Sequence, residues 1–202
     1  TYSVAYEAAP KNYTFYRFDV SDLTGGHSGD DINKGRANSN KIAARLLLMA
    51  QDEFEGRMSY FDGGNLRNAI PREAYAIVGV PSRLQEKFQA KAMQFMTDVK
   101  AEYSITEPTM RLALNEMPMV ESVLDMSSQC NLLGALIGVP NGVIAMSAAI
   151  EGLVETSTNL ASVKFTDKDT VIVTTSQRSS VESAKLYAKQ AVESVFLLSG
   201  AE

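Results

Sequence analysis

Alternation of apolar and polar positions predicts the strands of this chain. From Tyr13 to Leu23 the two kinds of side chain alternate, which is the two-residue period of a strand with one buried face. Further short or β-rich runs follow, bounded by proline, glycine or asparagine. The predicted strands span residues 13–23, 58–61, 74–80, 110–115, 155–166 and 170–177, with a hairpin turn at Asp167–Asp169 between the last two.

Apolar residues spaced three and four apart predict four helices among these strands. The first helix follows a glycine-rich stretch, Thr24–Asp31, that breaks all periodicity. A serine followed three residues later by Gln or Glu is typical of a helix start, and this pattern comes at Ser82 and Ser179, before the second and fourth helices. The predicted helices begin at about Arg36, run over 84–103 and 119–137, and close the chain over 181–195.

Strands interspersed with helices, and joined in part as hairpins, favour an α+β fold with helices packed on one face of a mainly antiparallel sheet. A weak internal repeat places Asn68 and Asn159 before similar strand and helix patterns, which predicts two ferredoxin-like halves. No segment has the composition of a flexible linker. We therefore expect residues 1–202 to form one domain.

Composition and charge narrow the classes of function. With 45% hydrophobic and 21% charged residues, the 202-residue chain is typical of a folded globular protein. A net charge of −5 disfavours a nucleic-acid partner, because such proteins bind phosphates through clustered Lys and Arg. No apolar run is long enough for a membrane helix, so we expect no membrane partner. The one cysteine, Cys130, lies among apolar residues and is expected to be a buried free thiol.

His27, the one histidine, is the first candidate for chemistry. It lies in the loop Gly25–Gly29, where glycines let the main chain approach a ligand, although a surface histidine without a role fits the same pattern. Asp30 and Asp31 would make a metal site with it only if further ligands came from elsewhere, and two acids ahead of a helix also suit its N-terminal dipole. Ser28 lacks the spacing of a serine-hydrolase nucleophile. We predict no metal in this chain.

Arg178, Asn68 and Asn159 are the candidates for binding. Arg178 closes a β-rich run just before a helix, where a guanidinium can bind a carboxylate through two parallel hydrogen bonds. Asn68 and Asn159 each precede a strand pattern and offer an amide to a substrate, while hydrogen bonding to the local turn is the other interpretation.

Five ordered motifs together resemble a known family. They are similar to the non-catalytic domain of aminoacyl-histidine dipeptidases, which belong to the dinuclear zinc peptidases that include carnosinase, aminoacylase and carboxypeptidase G. The resemblance begins at about residue 11 and reaches the end of the chain. The motifs are Gly25–Ile32 with Gly35–Asn38 and Lys41, then Gly64–Ala74, Pro140–Ile144, Val154–Asn159 and Arg178–Ser180.

The resemblance implies that residues 1–202 are a lid and dimerisation domain, excised from a larger two-domain metallopeptidase. In that family an interrupted catalytic domain holds two zinc or other divalent ions, and the inserted lid closes over it and forms the homodimer. The family's metal ligands, which include a His-x-Asp and a Glu-Glu pair, are absent from this sequence. The resemblance therefore implies a cytoplasmic dipeptidase, acting on dipeptides of the Xaa-His type, whose lid alone holds no metal and has no peptidase activity.

The same resemblance assigns roles to the candidate residues. His27 matches a histidine that in relatives reaches the active site of the other subunit and stabilises the oxyanion as water attacks. Arg178 matches the arginine that holds the terminal carboxylate of the substrate, and Asn159 matches an asparagine of the same pocket. Asn68 remains the alternative to Asn159 because of the internal repeat. The rival interpretation of the whole chain is a free-standing ferredoxin-like module that binds a small ligand or only dimerises.

Overall fold

The computed structural model describes residues 1–166 and 169–202, which form four helices and twelve strands. The helices are α1 (Ser39–Phe54), α2 (Gln85–Glu102), α3 (Met126–Gly138) and α4 (Glu182–Leu198). The strands are β1 (Tyr2–Ser3), β2 (Tyr6–Ala8), β3 (Tyr13–Ser21), β4 (Gly26–His27), β5 (Arg57–Gly63), β6 (Ala69–Ile70), β7 (Ala74–Pro81), β8 (Arg111–Met117), β9 (Ser122–Leu124), β10 (Gly142–Met146), β11 (Val154–Phe165) and β12 (Thr170–Ser179). None of the helices in this described part is both long enough and apolar enough to cross a membrane.

One antiparallel sheet of eight strands organises the molecule. Its order is β1-β12-β11-β5-β7-β3-β8, and β10 also pairs with β11. The first half of the chain, β3-α1-β5-β7-α2-β8, has the complete βαββαβ order of a ferredoxin-like unit. The second half repeats the helix–hairpin–helix part in α3, β11, β12 and α4, and β1 from the start of the chain lies beside it. The predicted α+β fold with a mainly antiparallel sheet is confirmed, and its first half is the more complete.

The hydrophobic core lies between a layer of helices and one face of the sheet. Tyr16, Phe18 and Val20 of β3 are at most 1% exposed and belong to this core together with Leu46 of α1. Contacts of α1 with α2 and α3, and of α3 with α4, place the helices in one layer. On the opposite face, Phe15 packs beneath the ribbon formed by β2 and β9. The alternation in β3 therefore reflects two different faces of the sheet.

Two predictions for the segment 119–137 are wrong. Instead of one helix, the structure has the strand β9 followed by α3, which begins behind the N-cap residue Asp125. A short buried strand followed by a helix places apolar residues at the same three- and four-residue spacings as one long helix. Cys130 is exposed rather than buried, because it lies on the solvent-facing side of α3.

The two predicted helix starts differ from expectation. The hydroxyl of Ser82 hydrogen-bonds with that of Thr14 at 2.9 Å, and α2 begins without a side-chain cap. Ser179 accepts a hydrogen bond from Val181 N at 3.0 Å, one residue before α4 begins. Of the predicted turn Asp167–Asp169, the first two residues lie outside the described part of the chain.

A half-buried lysine joins α1 to the end of α3. Lys41 Nζ donates to the main-chain oxygens of Leu136, Ile137 and Val139 at 2.7, 3.0 and 2.6 Å. Carbonyls at the C-terminal end of a helix lack partners within the helix, and a positive charge is favourable there. Burial lowers the pKa of Lys41 to about 8. Lys41 therefore links two helices of the layer through the polar end of one of them.

The two ends of the chain lie together. Thr1 N donates to the main-chain oxygen of Glu202 at 2.7 Å, and Glu202 N donates to that of Thr1 at 2.8 Å. Directly after Thr1, β1 joins the sheet beside β12. Thr1 and Glu202 therefore lie side by side.

Candidate functional site

The loop of residues 24–37, called the His27 loop below, carries the histidine of this chain. His27 and Gly26 form β4, which pairs antiparallel with β6. Gly26 has a φ of +137°, and a Cβ there would approach Arg36 Nη1 to 2.2 Å and Oδ2 of Asp31 to 2.5 Å. Only glycine fits at this position, both for its backbone conformation and for the space available.

Asp31 holds the main chain of His27 in place. Its Oδ2 accepts a hydrogen bond from His27 N at 2.8 Å, and Asp31 N donates to His27 O at 3.0 Å. The hydrogen bond from Lys34 Nζ to Oδ1, at 2.6 Å, is the main cause that lowers the pKa of Asp31. Arg36 donates to Gly25 O and lies 3.5 Å from the same carboxylate. Asp31 is therefore a structural residue of the His27 loop.

The His27 ring directs one nitrogen into its own loop and the other toward Arg178. Gly29 N and Asp30 N donate toward Nδ1 at 3.4 and 3.2 Å. Oδ2 of Asp30 lies 3.0 Å from the same atom. Nδ1 therefore faces both main-chain donors and a carboxylate acceptor, and these contacts fix the orientation of the ring. Nε2 lies 3.4 Å from Nη2 of Arg178, so the imidazole and the guanidinium meet at one spot.

Arg178 approaches the histidine from the second half of the sheet. It lies on β12, opposite Ser157 of β11. Its Nε is buried and has no hydrogen-bond partner among the described residues. Gly29 packs against both side chains, since a Cβ there would be 3.2 Å from His27 Cε1 and 3.3 Å from Arg178 Cδ. A guanidinium with an unpaired N–H is suited to bind an anion.

The two candidate asparagines lie in different surroundings. Asn159, in the middle of β11, is fully buried, and its Nδ2 donates to Ala69 O at 2.8 Å. Asn68 is exposed in the turn before β6, and its main-chain oxygen accepts from Ser28 N at 2.9 Å. Asn159 therefore holds β6 and, through it, β4, whereas the side chain of Asn68 is open to solvent. Their similarity in sequence does not extend to their structural settings.

Two cavities lie beside the contact between the histidine and the arginine. One, of about 580 Å³, is lined by His27 and Asn68 together with residues of the segment 64–73. The other, of about 470 Å³, is lined by Arg178 and Asp30 together with residues at the start of β11. Volumes of this size are typical of small-molecule sites. His27 lines the first cavity and Arg178 the second, so a ligand that contacts both side chains would lie between the two cavities.

The structure shows which predicted site residues meet and which residues sequence reasoning missed. His27 and Arg178 come together, with Asn68 on the wall of the first cavity. Within residues 1–166 and 169–202, no three His, Cys, Asp or Glu side chains lie together as metal ligands would. Sequence reasoning missed Glu107, a buried acid at the base of the His27 loop. Glu107 carries no motif that separates it from the other acids of the chain.

Comparison with known proteins gives matches over the whole chain. A family model described as peptidase dimerisation domain matches residues 19–107. Cytosol non-specific dipeptidase of Escherichia coli is 33% identical over 196 residues, which make up 97% of this chain and 40% of that protein. The crystal structure of aminoacylhistidine dipeptidase from Vibrio alginolyticus matches with a TM-score of 0.94 and 34% identity, over 100% of this chain and 41% of that chain. This chain therefore spans about two-fifths of the length of these two relatives.

Proposed function

We propose that this chain, which is similar to peptidase dimerisation domains and to two dipeptidases, is the lid of a dipeptidase and brings His27 and Arg178 to the active site. The observation that carries this proposal is the contact between His27 Nε2 and Arg178 Nη2. It joins two donors from the two halves of the chain, beside cavities of the size of a small molecule.

We assign residues 1–202 to one lid domain that is inserted into a catalytic domain. The relatives are a dipeptidase of the cytosol and an aminoacylhistidine dipeptidase, and three-fifths of each lies outside the matched part. In this proposal peptidase activity belongs to the full-length protein, in the cytoplasm, and not to the lid alone.

His27 is suited to stabilise an oxyanion. When water attacks a peptide carbonyl, negative charge develops on the carbonyl oxygen, and an N–H donor fixed beforehand at that position lowers the barrier. In this proposal the main-chain contacts at Nδ1 fix the ring, and Nε2, which lies beside Arg178, carries the proton. In the proposed dimer, the histidine serves the active site of the other subunit.

Arg178 is suited to hold the terminal carboxylate of a dipeptide. A guanidinium presents parallel N–H groups that match the two oxygens of a carboxylate, and its Nε has no other partner among the residues described. Asn68 is the asparagine that we propose for contact with the substrate, because it is exposed and lines the same cavity as His27. Asn159, which the sequence motif favours, has its Nδ2 engaged by Ala69 O and is better suited to support β6.

The remaining parts of the proposal concern the catalytic domain and the dimer. Two divalent ions such as zinc, held by the catalytic domain, would activate the attacking water. In this proposal the lid supplies the N–H groups that stabilise the negative charge on the carbonyl oxygen and bind the terminal carboxylate. The match to a peptidase dimerisation domain supports a homodimer formed through this domain. An Xaa-His dipeptide is the proposed substrate, because the relative of this chain from Vibrio alginolyticus is an aminoacylhistidine dipeptidase.

Steady-state hydrolysis by the full-length protein, loaded with zinc or another divalent ion, tests this function. The substrates are an Xaa-His dipeptide and the same dipeptide with an amidated C-terminus. For Arg178→Ala we expect KM for the free dipeptide to rise about 10- to 100-fold, because the substrate carboxylate loses a charge-assisted hydrogen bond. We expect the amidated dipeptide to be a poor substrate for wild type and variant alike.

Arg111→Ala is the matched control, because Arg111 is exposed on β8 and pairs with Asp22 at 3.1 Å. It should leave KM unchanged. If the metal-loaded protein hydrolyses no dipeptide, the proposed function is wrong. If Arg178→Ala raises KM equally for both substrates, or for neither, then the assignment of Arg178 to the carboxylate fails.

A further inference from the structure

Glu107 is a buried carboxylate without a cation beside it. It is 3% exposed and lies in the connection between α2 and β8. No Lys, Arg or His of the described residues lies within 4.0 Å of its oxygens. Burial of a carboxylate is costly unless hydrogen bonds replace the water it loses. The partners that Glu107 has therefore indicate what it does.

Both partners of Glu107 belong to the His27 loop. Oε2 accepts a hydrogen bond from Thr24 N at 2.6 Å, and Oε1 accepts one from Ala37 N at 2.9 Å. These two residues are the first and the last of the loop. Leu23, directly before the loop, and Asn38, directly after it, are both buried, so the chain leaves the core at Leu23 and returns to it at Asn38. One side chain thus closes the loop at its base.

The segment that carries Glu107 is itself anchored to the body of the domain. Glu107 N donates to Tyr103 O, at the end of α2, at 2.8 Å. On either side of it, Thr24 Oγ1 donates to Thr106 O at 3.2 Å and Thr109 Oγ1 donates to Asp22 O at 2.8 Å. The carboxylate is therefore a fixed point, and the two ends of the loop are held against it.

We propose that Glu107 is a positioning residue for His27. Glu107 fixes the two ends of the His27 loop, and Asp31 fixes His27 within it through hydrogen bonds to both its N–H and its C=O. Together they define where the imidazole stands relative to Arg178, which comes from a different part of the chain. This inference rests on the proposed function of His27. Because Glu107 lines neither cavity beside the site, its effect on the reaction passes through the histidine.

The kinetic consequence follows from where the histidine acts. A donor that meets the substrate oxygen mainly in the transition state affects kcat rather than KM. Loss of one of the two hydrogen bonds of Glu107 misplaces His27 by a fraction of an ångström to an ångström, and we expect kcat to fall by about tenfold. KM should remain within a factor of about two, since Arg178 lies on β12, outside the loop.

The test is a double-mutant cycle in the full-length, metal-loaded protein with Glu107→Gln and His27→Ala. Glutamine keeps the size of the side chain but turns an N–H₂ group toward one of the two main-chain donors. If Glu107 acts by positioning His27, then Glu107→Gln lowers kcat in the wild-type background and changes it by less than about twofold in the His27→Ala background. An equal loss in both backgrounds would mean that Glu107 only supports the fold, and would overturn the proposal.

Hydrogen exchange, followed by mass spectrometry on the same full-length proteins, tests the closure of the loop without reference to activity. Peptides within 24–37 should exchange about tenfold faster in Glu107→Gln, while peptides from α1 should not change. Unchanged exchange in 24–37 would overturn the proposal. Glu116→Gln, at an exposed acid on β8, is the control and should alter neither measurement.

The kinetic and hydrogen-exchange measurements together distinguish a failure of the role proposed for Glu107 from a failure of the role proposed for His27. If His27→Ala alone leaves kcat unchanged, the proposed role of His27 is wrong, and the exchange measurement still shows whether Glu107 closes the loop. If Glu107→Gln does not fold, Glu107→Asp keeps the charge and is too short to reach both N–H groups. Glu107→Asp should then lower kcat in the wild-type background and change it little in the His27→Ala background. An equal loss of kcat in both backgrounds would mean that Glu107 does not act by positioning His27.

Discussion

The core and the His27 loop of this domain are held by interactions of different kinds. In the core, β3 and α1 pack through side chains such as Phe18 and Leu46 that are fully buried. In the loop, the main chain is held by glycine conformations and by hydrogen bonds to two carboxylates, Asp31 and Glu107. Apolar packing is non-directional and large in sum, whereas each hydrogen bond is directional and small in net energy.

We therefore expect the core to determine the stability of the fold, and the loop to determine the position of the side chains that meet the substrate. Substitutions in the core should lower the free energy of unfolding and leave the geometry of the folded loop unchanged. Substitutions in the loop should change the free energy of unfolding little and displace the side chains that meet the substrate. Substitutions in the core and at the site can test these two expectations separately.

Phe18→Ala should lower the free energy of unfolding by about 3–5 kcal/mol, because it leaves a cavity between the sheet and the helix layer. Phe18 is 0% exposed and lies 6.4 Å from Phe95 between ring centroids. Urea unfolding followed by circular dichroism measures the loss. Phe18→Leu is the matched control and should cost less, since it fills part of the space. A loss below about 1 kcal/mol for the alanine variant would show that the core at β3 is not close-packed.

Lys41→Met should lower the free energy of unfolding at pH 7 by about 1–3 kcal/mol, because three main-chain oxygens near the end of α3 lose their donor. The effect depends on pH in a defined direction. The pKa of Lys41 is about 8 in the folded protein and 10.5 in the reference state. Between these values the unfolded chain binds more protons, so wild type should gain stability relative to Lys41→Met as the pH rises from 8 to 10. Thermal unfolding across this range measures it, and the opposite slope would contradict the assignment.

Asn159→Ala should lower the free energy of unfolding by about 1–2 kcal/mol, whereas Asn68→Ala should lower it by less than about 0.5 kcal/mol. The reason is that Asn159 is buried and donates to Ala69 O, while Asn68 is an exposed turn residue. Chemical unfolding of both variants, measured side by side, makes each the control for the other. Equal losses would mean that the two asparagines have equivalent roles, as their sequence repeat suggests.

Gly29→Ala should have the smallest effect on stability, within about 0.5 kcal/mol, because the added methyl group meets side chains rather than main chain. The nearest atoms, on His27 and Arg178, would be 3.2 and 3.3 Å from the new Cβ, so both side chains must shift. We expect kcat/KM of the full-length protein for a dipeptide to fall by up to about tenfold at an unchanged melting temperature. Wild-type kinetics would show that the spacing of the two donors is not critical.

The spacing of apolar residues along the sequence predicted most of the strands and helices that form the core, but little of the candidate site. The alternation in β3 and the apolar spacing in α1 and α2 are local signals, and the structure confirms them. The helix predicted over 119–137 failed because β9 pairs with β2, a contact between distant parts of the chain that no local period contains. The same limit explains Cys130, whose exposure depends on which side of α3 faces the other helices.

The candidate site was identified by residue type and motif, and its geometry depends on contacts between distant residues. His27 and Arg178 stood out as a lone histidine among glycines and an arginine at a strand end, but their contact joins residues 151 apart in sequence. Glu107 reaches Thr24 over a separation of 83 residues, and nothing near it in sequence marks it. Asn68 and Asn159 look alike in sequence and differ only once the sheet buries one of them.

The most direct test of the proposed role of His27 is the rate of dipeptide hydrolysis by the full-length, metal-loaded protein carrying His27→Ala, measured together with its melting temperature. Stabilisation of the oxyanion by His27 predicts a fall in kcat of about 10²–10³-fold, which is typical for loss of one oxyanion donor, at a melting temperature equal to that of wild type. A wild-type kcat would contradict this role and would leave His27 as a loop residue.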